Sequence, residues 1–339
     1  MKIPKATKLP SGNWNVKLMV DGVRLSITEP TKREAEAKAA AVKTGLQSAQ
    51  KRRDITVGEA IDLYIDSKDA VLSPSTIAGY KKQRANTLQT LMDIPVANLT
   101  QEAVQLAVNS MARTKSPKYV KNAHGLLTAA LSVYRPDFIL HTTLPQKEKQ
   151  EIVIPTTEDV RKIAQFVKGK KFELPFLLAA WMGLRASEIR GLTWDCVGDD
   201  AIHIKHALVD GPDGPALKLT KTYSSDRILP VPPYIMQLII AQPHVDEYVI
   251  HYNRNQLYKC LERACHSLGL RRYRFHDLRH YQASVMLSMG VPDKYAMERM
   301  GHASTNMLKN VYQHTMTEKS REIAADIDAF FEDKFSAGK

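Results

Sequence analysis

The stretch from His141 to Thr157 limits how this chain can fold more than any other feature. It is polar, carries Pro145 and Pro155, and closes on Thr156-Thr157-Glu158, a fresh helix start. Such a stretch marks a domain boundary, and 339 residues exceed one ordinary domain. Before it, back to about residue 54, the pattern is all-helical. After it, helices are interrupted by one β region. A third pattern precedes both, which divides the chain at 1–53, 54–145 and 150–339.

In the first segment Trp14, Val16, Leu18 and Val20 alternate with Asn15, Lys17 and Met19, the period of a half-buried strand. Asp21-Gly22 supplies a two-residue turn, and Val23 to Thr28 makes the return strand. Thr31-Lys32-Arg33-Glu34 then reads as a capping box. It opens a helix with Ala35, Ala39, Val42 and Leu46 on one face. Charge concentrates here. The chain holds 48 Lys+Arg against 36 Asp+Glu, a net +12, and residues 1–53 hold 12 against 4, a net +8. A basic hairpin packed on a helix is expected to bind DNA, because paired strands can enter a major groove.

In the second segment Thr56 to Glu59 is another capping box, and Ser73-Pro74, Thr100 and Ser116-Pro117 open further helices before Arg135-Pro136 ends the last. Lys81, Lys82, Arg84, Lys115, Lys118 and Lys121 crowd two of these helices and could track phosphates, or simply form a solvated face. In the third segment Leu174 to Leu184 is the longest apolar run. At 11 residues with Pro175 inside, it is core helix, far short of the roughly 20 residues that cross a membrane. Strands are expected at Ala201–Leu208, Ala216–Thr220 and Arg227–Val231, with helices from 233 and from Asn253 onward. The fold class is therefore α+β and mostly helical: a small N-terminal β-hairpin plus helix, a helical bundle, and a mixed α/β domain with a small antiparallel sheet. Three cysteines, Cys196, Cys260 and Cys265, fit a reducing cytoplasm, and the first residues show no apolar leader segment.

Four clusters in the third segment carry chemistry. Gly183-Leu184-Arg185-Ala186-Ser187-Glu188 follows the apolar run, Lys221 ends a strand, and His276-Asp277-Leu278-Arg279-His280 sets His276 and Arg279 one helical turn apart. Gly301-His302 precedes Tyr312 by ten residues. Each alone is weak. In this order, Arg185, Lys221, His276-x-x-Arg279, Gly301-His302 and Tyr312 resemble the tyrosine recombinases, the integrases of phages and conjugative transposons. The resemblance covers roughly 157–320. The basic hairpin module is similar to the family's arm-site-binding module, and the helical segment to its core-site-binding domain.

The resemblance implies an enzyme that cuts and rejoins DNA through a covalent 3′-phosphotyrosine. Tyr312 would be the nucleophile. Arg185 and Arg279 would clamp the phosphate with planar, permanently charged forks. His276 would accept the phenolic proton, His302 would bond the phosphate, Lys221 would protonate the leaving 5′ oxygen, and Glu188 would support Arg185. No metal and no cofactor is implied. The implied partners are double-stranded DNA at core and arm sites and the protein itself as a tetramer, with an excisionase or host DNA-bending protein as accessory. The implied place is the cytoplasm of a bacterial host.

Several alternatives stand beside this. Tyr281 and Tyr295 are rival nucleophiles, Lys218 is a rival for Lys221, and Arg227 suits the family's return strand without a chemical role. Cys260-x4-Cys265-x10-His276-x3-His280 approaches a zinc-finger spacing, but Leu257, Leu261, Ala264 and Leu268 keep helical period through the cysteines. A topoisomerase that nicks and reseals without partner choice, and a DNA-binding regulator with an idle site, are the rival functions. Glu318 to Phe335 reads as an apolar-periodic helix that docks on a neighbouring protomer or packs on its own domain.

Overall fold

The computed structural model describes residues 4–20, 23–147, 153–219 and 225–301. The chain divides into two compact units, Met1–Glu148 and Lys149–Lys339.

The first unit opens with an antiparallel sheet in the order β1 (Thr7–Lys8), β2 (Trp14–Val20), β3 (Val23–Glu29). Val16 and Leu18 of β2 turn inward and pack with Ala6 and with Ala35 and Ala39 of helix α1 (Lys32–Asp54). The Thr31 hydroxyl accepts from the Glu34 backbone N–H at 3.3 Å, so the expected cap forms. The outer sheet face carries Lys17, Met19, Arg24, Ser26 and Thr28, all exposed. Asn15 departs from simple alternation. It is buried on the central strand, where its amide donates to Ser26 Oγ at 2.7 Å, Thr28 Oγ1 at 2.8 Å and the Ile27 carbonyl at 3.2 Å. The two-residue strand β1 is too short to leave a period in the sequence.

Four helices follow: α2 (Val57–Lys68), α3 (Pro74–Asn86), α4 (Gln101–Ala112) and α5 (Pro117–Tyr134). Their apolar faces share one core that includes Ile61, Ile77, Val104, Leu127 and Leu131. The Thr56–Glu59 capping box is complete, with the Thr56 N–H donating to Glu59 Oε2 at 2.8 Å and the Glu59 N–H to Thr56 Oγ1 at 3.2 Å. The lysines on α3 and α5, and Lys115 just before α5, are exposed. Arg84 is turned inward to Asp62 and the Gly58 carbonyl.

Part of the polar stretch belongs to this bundle. Gln101 and Gln105, one turn apart on α4, use their side-chain amides as a strand would use its backbone. Gln101 receives the His141 N–H at 3.0 Å and donates to the Ile139 carbonyl at 2.6 Å. Gln105 receives the Thr143 N–H at 2.8 Å and donates to the Thr143 carbonyl at 3.1 Å. Phe138, Leu140 and Leu144 pack on the core beneath.

The second unit contains α6 (Thr157–Val167), α7 (Glu173–Ala180), α8 (Ala186–Arg190), strands β4 (Ala201–Ile204), β5 (His206–Gly211), β6 (Gly214–Leu219) and β7 (Arg227–Pro230), then α9 (Pro233–Ile240), α10 (Arg254–Ser267), α11 (Phe275–Ser288) and α12 (Asp293–Met300). All of α7 is buried, with Phe176, Leu178 and Ala179 at the centre of the core beside Phe275 and Leu278 of α11. The expected single strand Ala201–Leu208 is two strands. It breaks at Lys205, which pairs with Asp195 at 2.8 Å, and the halves find different partners. β4 pairs with β7 and β5 pairs with β6, both antiparallel. β5 lies against the end of α8, where a Cβ on Gly191 would sit 2.6 Å from the Leu208 N atom. Helix α10 runs unbroken through Cys260 and Cys265, with Leu257, Leu261 and Ala264 buried on one face. Among the described residues no helix is long and apolar enough to cross a membrane.

Candidate active site

The site is assembled at three helix ends. After α7 the chain reverses at Gly183, whose φ of +72° is open to glycine and costly for other residues. A Cβ there would also meet Met300 Sδ at 2.7 Å, so the reversal packs directly on α12. Arg185 follows in extended conformation as the N-cap of α8. Glu188, 2 % exposed, reaches back to it: its Oε2 accepts the Arg185 backbone N–H at 3.0 Å and its Oε1 accepts from Arg185 Nη1 at 2.5 Å.

On α11, His276 and Arg279 share a face as their spacing predicts. The helix start is fixed by the buried Asp277, whose carboxylate accepts the Arg274 N–H at 2.7 Å and the Arg274 guanidinium at 2.8 Å. Arg279 is 1 % exposed and donates Nη1 to the Gly183 carbonyl at 2.5 Å and Nη2 to the Met300 carbonyl. Its buried Nε–H has no hydrogen-bond partner among the described residues.

The third end is that of α12, where helix geometry leaves the last carbonyls without intrahelical donors. Three consecutive ones are taken by three arginines. Arg299 O accepts from Arg227 Nε at 2.8 Å, Met300 O from Arg279 Nη2, and Gly301 O from Arg185 Nη2 at 2.7 Å. Gly301, left-handed at φ +61°, ends the helix, and the negative pole of its dipole suits these cations. Arg227 further donates Nη2 to Glu188 Oε2 at 3.0 Å.

Three guanidinium groups thus surround one buried carboxylate. Burial alone would raise the Glu188 pKa, but the charges of Arg227 and then Arg185 override it and hold the group at about 2. Burial, followed by repulsion from Arg185, pushes Arg279 down to about 9, so it stays charged at neutral pH. Burial also pushes His276 down to about 4, assisted by His280, Arg279 and Arg185, which leaves a neutral imidazole beside a cationic site. His276 and His280 meet edge to face with centroids 4.8 Å apart.

The structure therefore brings together Arg185, Glu188, His276 and Arg279. Lys221, His302, Tyr312 and the segment Glu318–Phe335 lie outside the described residues. Of the rival tyrosines, Tyr281 packs against the main core. Tyr295 is exposed on the wall of an open, largely apolar groove of about 860 Å³ between β7, α11 and α12. The sequence singled out Arg227 as suiting a return strand but gave it no chemical role, and reading it alone missed the Arg274–Asp277 clamp as part of the site. An aspartate at the third position of α11 was a signal for the second, since it caps a helix start.

A buried arginine fork beside a half-exposed one, with a neutral histidine on the same face, is built to hold an oxyanion and take a proton. The Phage integrase family profile matches residues 154–319, which contain all these groups, so this part of the chain carries a domain of that family of tyrosine recombinases. Among its relatives is a protein described as tyrosine recombinase XerC-like from Caldanaerobacter subterraneus subsp. tengcongensis, 20% identical over 91% of this chain and 92% of that one. The fold is similar to the Tn1549 transposon integrase solved with circular intermediate DNA. That match has a TM-score of 0.65 and 20% identity, and covers 80% of this chain and 100% of that one. It is also similar to a lambda integrase tetramer solved on a Holliday junction, with a TM-score of 0.60 and 17% identity over 91% of this chain and 94% of that one.

Proposed function

We propose that this protein is a site-specific DNA recombinase of the integrase type, which integrates or excises a mobile element through a 3′-phosphotyrosine intermediate. The observation that carries the reading is the pair Arg185 and Arg279, locked by neighbouring carbonyls with one buried N–H of Arg279 still unspent. The two arginines clamp the non-bridging oxygens of one DNA phosphodiester and stabilise the added charge of its transition state. Tyr312 attacks the phosphorus and displaces the 5′ oxygen of the next nucleotide. His276, neutral at physiological pH, takes the phenolic proton, while Lys221 protonates the departing oxygen and His302 bonds the phosphate. The phosphotyrosyl bond keeps the energy of the broken bond, so religation by a 5′ hydroxyl needs neither nucleotide triphosphate nor metal.

In this reading residues 1–53 bind arm-type DNA sites, 54–145 bind the core site, and 150–339 form the catalytic domain with its tail helix. The outward face of the N-terminal sheet, with Lys17 and Arg24, suits a phosphate-lined groove. The working form is a tetramer on two duplexes, in the cytoplasm of a bacterial host, with an excisionase or a host DNA-bending protein as accessory. The tail from Glu318 to Phe335 docks on a neighbouring protomer. Deleting residues 320–339 then spares DNA binding and reduces cooperative recombination, and normal recombination by the truncated chain refutes the docking.

The deciding experiment incubates the protein with nicked candidate attachment-site DNA in EDTA and resolves the products on a denaturing gel. Wild type should give a covalent protein–DNA band and Tyr312→Phe none. A band that needs magnesium, or that survives in the Phe variant, overturns the assignment. Relaxation of plasmids without any special site would mark a topoisomerase instead.

A further inference from the structure

We propose that Arg227 is a positioning residue for strand cleavage, holding the Arg185 guanidinium and the end of α12 in one frame. The inference rests on the recombinase reading above and adds a residue to which that reading gives no role.

Arg227 begins β7, and its side chain is 5 % exposed. Its donors are spread over three parts of the unit. Nε goes to the Arg299 carbonyl at 2.8 Å, Nη2 to Glu188 Oε2 at 3.0 Å, and Nη1 to the Ser225 carbonyl at 3.0 Å and to Glu188 Oε1 at 3.4 Å. A planar fork can serve divergent acceptors in this way, whereas a lysine ammonium on a flexible stem cannot do so at fixed angles.

Glu188 is the hinge of the arrangement. It orients Arg185 through both a backbone and a side-chain bond, yet Arg185 is the more exposed partner and is the one that must face the phosphate. Without Arg227, a carboxylate that is 2 % exposed would keep side-chain hydrogen bonds from the partly exposed Arg185 alone. Arg227 supplies that cation from the opposite side. It also fixes the Arg299 carbonyl, next in the chain to the two carbonyls that seat Arg279 and Arg185. One side chain therefore sets the separation between the arginine clamp and the Gly301 turn, from which the chain continues to His302 and Tyr312.

The test measures covalent-complex formation under single-turnover conditions on a nicked attachment-site duplex, with DNA affinity measured separately for the same full-length proteins. Arg227→Gln should cleave about 100-fold more slowly, as expected when a reacting group is displaced by about an ångström. Its DNA affinity should stay within about threefold of wild type, because Arg227 faces protein and makes no phosphate contact in this arrangement. The groups facing Glu188 are Arg185 at the N-cap of α8, Arg227 on β7 and Arg279 on α11. With Arg227 gone, the carboxylate titrates higher, and the acid-side fall in the cleavage rate of Arg227→Gln should move to a higher pH than in wild type. In a Glu188→Gln background the Arg227 replacement should cost much less, because the group it holds has lost its charge.

A purely architectural residue would lower the melting temperature and leave the pH profile and the Glu188 coupling unchanged, and that outcome overturns the proposal. Arg227→Lys keeps the charge and decides the matter if Arg227→Gln does not fold. It should cleave about 10-fold more slowly with normal DNA binding, since the fork is lost, and wild-type cleavage by it overturns the proposal. If wild type forms no covalent adduct, the recombinase reading and this proposal fall together. An active wild type with an unimpaired Arg227→Gln sinks the positioning role alone.

Discussion

The Gly183 carbonyl accepts a hydrogen bond from Arg279 Nη1 at 2.5 Å, joining residues 96 positions apart. The left-handed turn at Gly183 aims that carbonyl into the site while Met300 packs against the missing Cβ. Gly183→Ala should therefore destabilise the protein by about 1–3 kcal/mol through backbone strain and the Met300 clash. It should also slow cleavage by displacing Arg279. Urea unfolding together with covalent-complex assays checks both, and wild-type values in each would refute the coupling.

Arg279→Lys keeps a cation but cannot reach the Gly183 and Met300 carbonyls as a fork. Cleavage should fall by at least about 100-fold, the scale seen when one preorganised donor is lost from a charged transition state. DNA affinity should change little, which a filter-binding titration beside the cleavage assay would establish.

His276 titrates near 4 in the folded protein against 6.5 when free. The unfolded state therefore binds more protons between these values, and the stability this group allows is complete above pH 6.5 and lost as pH falls towards 4. As a base it stays unprotonated through pH 5, so wild-type cleavage should persist there. An imidazole proton resonance with its midpoint near 4 would identify it. His276→Ala should slow tyrosine attack by about 10²–10⁴-fold. An NMR midpoint near 6.5 would contradict the buried, cation-flanked setting.

Glu188 is depressed to about 2 from an ordinary 4.5, so its stabilising contribution is present above pH 4.5 and disappears as pH falls through 2. Glu188→Ala removes the shared acceptor of Arg185 and Arg227 and should cost about 3 kcal/mol at neutral pH. The deficit relative to wild type should shrink in acid. Denaturant titrations at pH 7 and pH 3 measure the difference, and an equal deficit at both would rule out the charge as its cause.

In the N-terminal sheet, Lys17 and Arg24 face outward while Val16 and Leu18 face α1. If they contact phosphates of an arm site, replacing either with Ala should reduce the slope of log affinity against log salt by about 1. Binding to the core site alone should be unaffected. A slope unchanged in both variants would move the arm-site contact elsewhere.

Much of this was legible along the chain because it is local. The Thr31 and Thr56 caps, the hairpin at Trp14–Glu29 and the shared face of His276 and Arg279 each depend on spacings of two to four residues, or on a two-residue turn. Arg185 and Glu188 are three apart, so their pairing was written in the motif itself. Other features needed the folded chain. The division of 201–211 into two strands shows in their separate partners, β7 for one and β6 for the other, which no strand pattern encodes. Gln101 and Gln105 look like ordinary helix-surface residues until a segment 38 positions away lies along them.

Arg227 marks the limit. By sequence it is one arginine opening a short strand. Its acceptors lie 39 and 72 residues away, and only packing brings a carboxylate and a helix end to the same guanidinium. The sequence by itself determined which side chains could do the chemistry, because charge, planarity and helical spacing are properties of residues and their near neighbours. The tertiary structure decided which arginines meet at consecutive carbonyls of α12 and which carboxylate they share. Those distances come from burying a common core, and no local rule carries them.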